Sequence, residues 1–374
     1  MDKPLSGFRI IELAGIGPGP YAGMLLADMG AEVILVSRPG QSLMTIHDRG
    51  KVPVSINLRR PEGAKVLLDL VAEADALIEG LRPGVTERLG VGPEDCHAVN
   101  PKLVYGRMTG WGQTGPWAKT AGHDLNYISI TGALHAMGRE GQPPMPPLNL
   151  VGDYGGGSLF LVSGILAALL QAGRTGRGTV VDAAMIDGVN SMMSMFHTLS
   201  AFGQWRNERE SNLLDGAMPY YRCYETSDGK FMAVGCIEPQ FFAEFLRLMR
   251  IDPEEFGKQN DRSQHPAQHI MLEELFRTRT RDEWAEVFSG TDACTSPVLD
   301  YQEAAHHPQM QARGALTQVG MFTHSRPAPV FGGDLELPDY DVPTANSGRD
   351  TVTAMLGYSD ARVSDLLSAN ILSE

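Results

Sequence analysis

Two short segments of this 374-residue chain hold residues suited to moving a proton at carbon. One is Ala121-Gly-His-Asp-Leu-Asn-Tyr127, and it is answered further along by Asn149-Leu-Val-Gly-Asp-Tyr-Gly-Gly-Gly157. His123 and Asp153 each lie among glycines, which let backbone come close to a ligand. A histidine and a carboxylate so placed are what two-base proton transfer needs. One group takes a proton from carbon, and the other returns one to the opposite face of the planar intermediate. A third segment, Gly235-Cys-Ile-Glu-Pro-Gln-Phe241, carries Glu238; taken alone, Glu-Pro-Gln reads as a solvated loop. No metal chemistry is expected. Cys96, Cys223, Cys236 and Cys294 form no Cys-x-x-Cys pair, and the histidines lack ligand spacing, His135 and His197 reading as structural and His306-His307-Pro308 as an exposed turn.

These residues must be positioned by a scaffold, and the chain alternates strand and helix patterns up to about Met108. Phe8–Leu13, Ala31–Val36, Val52–Leu58, Ala76–Ile78 and Leu103–Met108 are β-rich, with helical patterns at 20–29, 61–74 and 93–100 between them. Such alternation predicts an α/β fold with a mostly parallel sheet covered by helices on both faces. Leu159 to Leu170 is too short an apolar run to span a bilayer and reads as a buried helix. Residues 190–204 read as one methionine-rich helix, in which Met192, Met193 and Met195, with Met185 just before, pack as core or subunit interface. A hairpin is expected about Thr226-Ser-Asp-Gly229, then helices near 240–249, 269–277, 282–288 and 350–355. The resulting division is a large α/β domain over 1–190, a linker over 191–212, a small α+β domain over 213–307, and a second linker with a return to the large domain over 308–374.

Composition narrows the function. A net charge of −14 and a pI near 5.2 argue against a nucleic-acid groove or a basic membrane face. Neither a secretory signal nor a peroxisomal address is read at the termini, so the cytoplasm is the expected location. The run Gly15-Ile-Gly17-Pro-Gly19-Pro20 occupies the place of a dinucleotide loop, but Pro18 and Pro20 each lack the N–H such a loop offers to phosphate. Ser37-Arg38 also stands where an NAD ribose would want a carboxylate. No nicotinamide cofactor is therefore expected, and the glycines serve a tight turn. In so acidic a chain, arginines after successive strands are informative: Arg38, Arg59, Arg82 and Arg88 are each open between a solvated surface and an anion site.

Gly122-His123-Asp124-Leu125-Asn126-Tyr127, Asn149 with Asp153, and Gly235 through Phe241 together resemble the α-methylacyl-CoA racemases, a branch of the class III CoA-transferase superfamily. The likeness runs from Leu5 to about Pro329. It implies a 2-methylacyl-CoA substrate, no cofactor beyond its CoA moiety, and an interlocked-ring homodimer, with no nucleic-acid or membrane partner. His123 and Asp153 would be the two proton-transfer groups, Asn149 would support Asp153, and Glu238 would orient His123 from the partner subunit. CoA contacts would fall on Arg38, the run Ile56-Asn57-Leu58-Arg59, Gly80, Leu81, Arg82, Arg88, and Gly122 with Asp124, Leu125, Asn126 and Tyr127. Two departures stand out: Arg59 replaces a frequent lysine, and Ile56 a smaller residue near the adenine. Asp153 is expected at or near a helix N-cap, whose free amides could hold an enolate oxygen. The helix dipole there would lower its pKa, and burial would raise it.

The same fold supports a rival chemistry, in which Asp153 is the nucleophile of a CoA-transferase and forms a covalent intermediate. A transferase has no use for a second base, so His123 favours racemisation. A CoA-binding protein without turnover and an NADP dehydrogenase are the remaining alternatives.

Overall fold

Strands apolar on both faces need cover on both faces, and the first half of the chain supplies it. In the computed structural model, which describes residues 3–40, 45–332, 342–344 and 346–373, six strands form one sheet. They are β1 (Arg9–Leu13), β2 (Glu32–Ser37), β3 (Lys51–Ser55), β4 (Ala76–Glu79), β5 (Val104–Thr109) and β6 (Val180–Ala184). Their order is β3-β2-β1-β4-β5-β6, and every pairing is parallel. Because β3 lies at one edge and β4 on the far side of β1, the order reverses between β1 and β4. A crevice at the carboxyl ends of those two strands is where open sheets of this kind hold ligands.

Side-chain alternation divides the core. Ile10, Val33, Ala76 and Ile78 face α1 (Pro18–Asp28) and, further along the chain, α6 (Leu159–Thr175). Ile11, Ile34, Val54, Leu77 and Tyr105 face α2 (Pro61–Ala72). Two short helices, α3 (Val85–Arg88) and α4 (Pro93–Val99), follow β4, and α5 (Asp124–Ile130) follows β5. Residues 150–175 form a continuous helical element long and apolar enough to cross a membrane by length and composition. Its inward residues Leu161, Val162, Ile165 and Ala168 belong to the sheet's core, although Leu159 and Leu170 are exposed.

The second half differs from expectation in places. The single methionine-rich helix is two, α7 (Met185–Met192) and α8 (Ser194–Ala201), with the break at Met193. Met185 is buried, whereas Met192 and Met195 are exposed. Strand β6 went unrecognised because its outer residues Val180 to Asp182 alternate weakly with solvent.

Contacts divide the chain into two units: Met1–Ala133, Pro147–Ser194 and Pro308–Glu374 form one, Leu134–Pro146 and Met195–His307 the other. The excursion 134–146, read from sequence as part of the large domain, groups with the second unit. That unit holds an antiparallel sheet of β7 (Tyr221–Glu225), β8 (Phe231–Gly235) and β9 (Thr295–Val298), with the hairpin turn at Gly229 in a left-handed conformation. Against it packs α9 (Pro239–Met249), whose Phe242, Phe245, Leu246 and Met249 recur at helical spacing. A second hairpin in the first unit, β10 (Leu316–Val319) with β11 (Phe322–Ser325), is tied down by buried Arg49, which donates to the Ser325 carbonyl at 2.8 Å and pairs with Asp28 at 2.6 Å.

One charged pair is buried outright beneath the β1–α1 turn. The Lys51 ammonium lies 2.7 Å from the Glu12 carboxylate, both fully buried, and donates to the Pro20 carbonyl at 3.0 Å. Burial pushes the Glu12 carboxyl up to about 7, with the Lys51 charge opposing. A folded pKa raised above the unfolded value contributes stability at low pH that is lost as pH rises through it. Lys51→Met removes the opposing charge, so it should destabilise by about 3 kcal/mol at pH 8 and by clearly less at pH 5, where Glu12 is protonated. Urea denaturation at the two pH values measures the difference.

Candidate active site

The β1–α1 turn and the start of the long helix meet at Asp153. Residues Leu150–Ser158 are not α-helical but form a π-helical turn, with Asn149 at its N-terminus and Asp153 in its first turn. Wide turns of this type interrupt helices most often at functional sites. The Ser158 hydroxyl seats it, 2.8 Å from the Pro18 carbonyl and 3.1 Å from the Asp153 carbonyl. Gly17 has φ 74°, and a Cβ there would stand 3.0 Å from Asp153 Oδ2. The carboxylate therefore lies against the glycine turn, where a side chain would meet both this tight contact and a left-handed backbone.

His123 approaches from the other side. It is the N-cap of α5, its backbone N–H donating to Asn126 Oδ1 at 3.1 Å. Its ring is exposed and lines the same hollow as Asp153, a cavity of about 270 Å³ with Gly17, Gly80, Met108 and Gly122 in its wall. That wall is built from the turns after β1, β4 and β5, at the reversal of strand order. An adjoining hollow, sharing Gly80, Met108 and His123, extends toward Arg82, Trp111 and Thr120.

Burial raises the pKa of Asp153. The Asn149 amide, 3.4 Å away, and the His123 charge pull it down, while the nearby Asp124 carboxylate adds to the rise. Burial outweighs the lowering influences of Asn149 and His123, and a carboxyl so raised is better able to hold a proton near neutral pH. Of the amides expected to be free for an enolate oxygen, that of Tyr154 donates to the Asn149 carbonyl at 3.3 Å. The N–H groups of Gly152 and Asp153 both donate to Asp124 Oδ2, each at 2.7 Å.

Asp124 was read as a cofactor contact, but its side chain is 7% exposed and its carboxylate faces the backbone of the π turn. Ile56 was placed near the adenine; its side chain is 1% exposed in the sheet core, and its backbone pairs with Leu372. Leu58 packs partly against that core, and Asn57 donates its backbone N–H to the Ile371 carbonyl. Leu125 and Asn126 are exposed on α5. Tyr127 is buried in the cavity wall, its hydroxyl donating to the Gly122 carbonyl and its ring edge-on to Trp111 at 4.7 Å. Glu238 lies in the second unit, exposed at the N-terminus of α9.

Arg38, Arg59, Arg82 and Arg88 all stand exposed in loops or on the short helix beyond the carboxyl ends of β2, β3 and β4. Among the described residues none of the four has a carboxylate partner, so their charges face solvent or a ligand. The loop Gly80–Arg82 is held from beneath: Arg107 on β5 pairs with Glu79 at 2.9 Å and with Glu87 at 2.8 Å, and Leu81 N–H donates to Glu79 Oε2 at 2.7 Å. Sequence reasoning missed this network; its signal was a charged residue inside each of two otherwise apolar strands. Among the described residues no cluster of three His, Cys, Asp or Glu could hold a metal.

Comparison with known proteins gives this arrangement a context. Residues 5–343 match the model of CoA-transferase family III. A mouse protein named alpha-methylacyl-CoA racemase is 40% identical over 98% of this chain and 97% of its own length. The human protein of that name is 37% identical, over 98% and 97%. A crystal structure of a CAIB/BAIF family protein from Brucella suis superposes with a TM-score of 0.81 at 27% identity, covering 95% of this chain and 100% of the other.

The tight contact about Tyr127 makes Gly122 testable by itself. A Cβ at 122 would come within 2.6 Å of the Tyr127 ring and 2.8 Å of Trp111. Gly122→Ala should cost about 1–3 kcal/mol of stability by overpacking, read by chemical denaturation, whereas Gly173→Ala, at an exposed position of α6 where an added Cβ meets nothing, supplies the control and should not lower stability.

Proposed function

The chain belongs to CoA-transferase family III, and from that premise we propose that it interconverts the C2 epimers of 2-methylacyl-CoA thioesters. The observation that carries this is the convergence of His123 and Asp153 on one cavity at the sheet's switch point. The names of the full-length mouse and human relatives point the same way.

In the proposed reaction one group removes the C2 proton, and the electron pair of the broken C–H bond moves into the thioester as an enolate. The other group then delivers a proton to the opposite face of C2, and the thioester is restored with inverted configuration. His123 begins as neutral imidazole and Asp153 as carboxylic acid in one direction, and the states exchange in the other. The raised pKa of Asp153 suits the acid role, since a carboxyl that gave up its proton too readily would seldom be found in the donor state. Asn149 holds its Oδ2 in place. The net change is a proton at carbon, so neither a metal nor a redox group is called for.

The CoA moiety is proposed to lie over the carboxyl edge of the sheet, with Arg38, Arg59, Arg82 and Arg88 facing its phosphates; fork-shaped guanidinium groups suit such oxygens. The backbone around Gly80 and Gly122, which lines the adjoining hollow, would border the pantetheine. Glu238 is proposed to act from the partner subunit of an interlocked homodimer, orienting His123. Support for a second copy is the apolar side chains left exposed on the first unit: Leu125, Ile130, Leu148, Leu150 and Leu159. Four free cysteines, two of them exposed, accord with the cytoplasm as its location.

His123→Ala and Asp153→Ala should each lower epimerisation of a single-epimer 2-methylacyl-CoA by about 10²-fold or more, with CoA affinity changed little. Near-normal turnover by either variant would contradict the two-base assignment. Arg82→Ala should instead raise KM and spare kcat, because its charge faces a part of the substrate that does not react.

A further inference from the structure

The two groups flanking the cavity come from separate elements, α5 and the π turn, and one side chain links them. Asp124 follows His123 directly and begins α5. Its Oδ2 accepts the N–H of Gly152 and of Asp153, each at 2.7 Å, across 28 and 29 residues of chain. Position 152 admits no side chain, for a Cβ there would lie 2.6 Å from that same oxygen. The second oxygen, Oδ1, is buried without a hydrogen-bond partner in the described structure. A carboxylate buried to this extent with one oxygen unsatisfied is costly, and its two charge-assisted bonds to backbone offset that cost only with close geometry.

We propose that Asp124 is a positioning residue: its carboxylate clamps the backbone of His123 to the backbone of Asp153, setting the separation of the two proton-transfer groups across the cavity. The inference rests on the racemase chemistry proposed above and adds what keeps its two bases in register. Proton transfer to opposite faces of one carbon tolerates little error in that separation, since a displacement of about 1 Å can cost about 10²-fold in rate. The same carboxylate acts through charge. Asp124, His123 and Tyr127 are the described ionisable groups coupled to Asp153, and the negative charge of Asp124 favours the protonated form of Asp153. Clamp and charge therefore come from one side chain, and Asn and Ala substitutions separate them.

The experiment uses the full-length protein with Asp124→Asn and Asp124→Ala, a single-epimer 2-methylacyl-CoA, and deuterated buffer. Asp124→Asn keeps an acceptor oxygen and loses the charge; its pH–rate profile should move to lower pH, because the proton on Asp153 becomes easier to lose. Asp124→Ala loses the clamp as well. Its kcat should fall by about tenfold or more with KM within about threefold, and deuterium entry at C2 should rise relative to inversion, as one base exchanges the proton without delivery from the other. Amide exchange at Gly152 and Asp153, measured without substrate, should be faster by about tenfold or more in Asp124→Ala than in the parent. Unchanged amide protection in Asp124→Ala, or parental kcat and exchange-to-inversion ratio in that variant, would overturn the clamp, and a parental pH profile in Asp124→Asn would overturn the role of its charge. Should Asp124→Ala not fold, Asp124→Asn still decides, because a neutral amide oxygen accepts more weakly than a carboxylate: exchange at Gly152 and Asp153 should be faster than in the parent, and parental protection would overturn the clamp. A parent that never epimerises would overturn the racemase assignment instead, and amide protection would still test the clamp.

Discussion

The site depends on how the π-helical turn Leu150–Ser158 is seated. One side of it meets the β1–α1 turn, where the Asp153 carboxylate lies close against Gly17 and the Ser158 hydroxyl donates to the Pro18 carbonyl. The other side meets α5, where Asp124 gathers two of its amides. A regular α-helix beginning at Asn149 would set these residues at different angles, and the wider turn brings Asp153 to the cavity while α6 continues beneath the sheet. Glycines at 152 and 155–157 are what the crowding requires, because α5 and α7 approach that turn closely. Removing water from Asp153 then raises its pKa, so the seating that places the carboxyl also adjusts its chemistry.

Charge is organised by burial. Glu12 with Lys51, Asp28 with Arg49, and Glu79 with Arg107 are ion pairs taken out of solvent, and each fastens a turn or a hairpin rather than the strands themselves. The exposed arginines beyond the carboxyl ends of β2, β3 and β4 are the counterpart, cations without carboxylate partners among the described residues in a chain of net charge −14. An unpaired guanidinium in an acidic protein can select an anion by local field without making the whole surface basic. Core pairs fix turns and a hairpin, and the surface cations leave local positive charge beyond the carboxyl edge of the sheet.

Much of this was legible in the residues. Strand–helix alternation up to Met108 indicated a parallel sheet because β-α units have so few ways to pack. His123 and Asp153 were recognisable as a pair, and they do line one cavity. What could not be read were tertiary facts. Asp124 resembled a CoA contact because an extended segment would turn it away from His123, yet it begins a helix and its partners lie 28 and 29 residues away. Ile56 looked like a pocket residue, yet the C-terminal Leu372 pairs with it and encloses it in the core. The π turn has no period of its own in the sequence, so Asp153 read as a cap. Arg107 falls within an expected strand and Glu79 just beyond one, and nothing local shows that two charges on neighbouring strands will meet.

Proton transfer at C2 between two protein groups is the central claim, and NMR of a (2R)- or (2S)-2-methylacyl-CoA in deuterated buffer tests it most directly, with purified protein and no acceptor acid. Two-base racemisation predicts deuterium at C2 together with loss of stereochemical purity. Binding of the thioester without exchange at C2 would contradict it, and would point to Asp153 as the nucleophile of a CoA transfer.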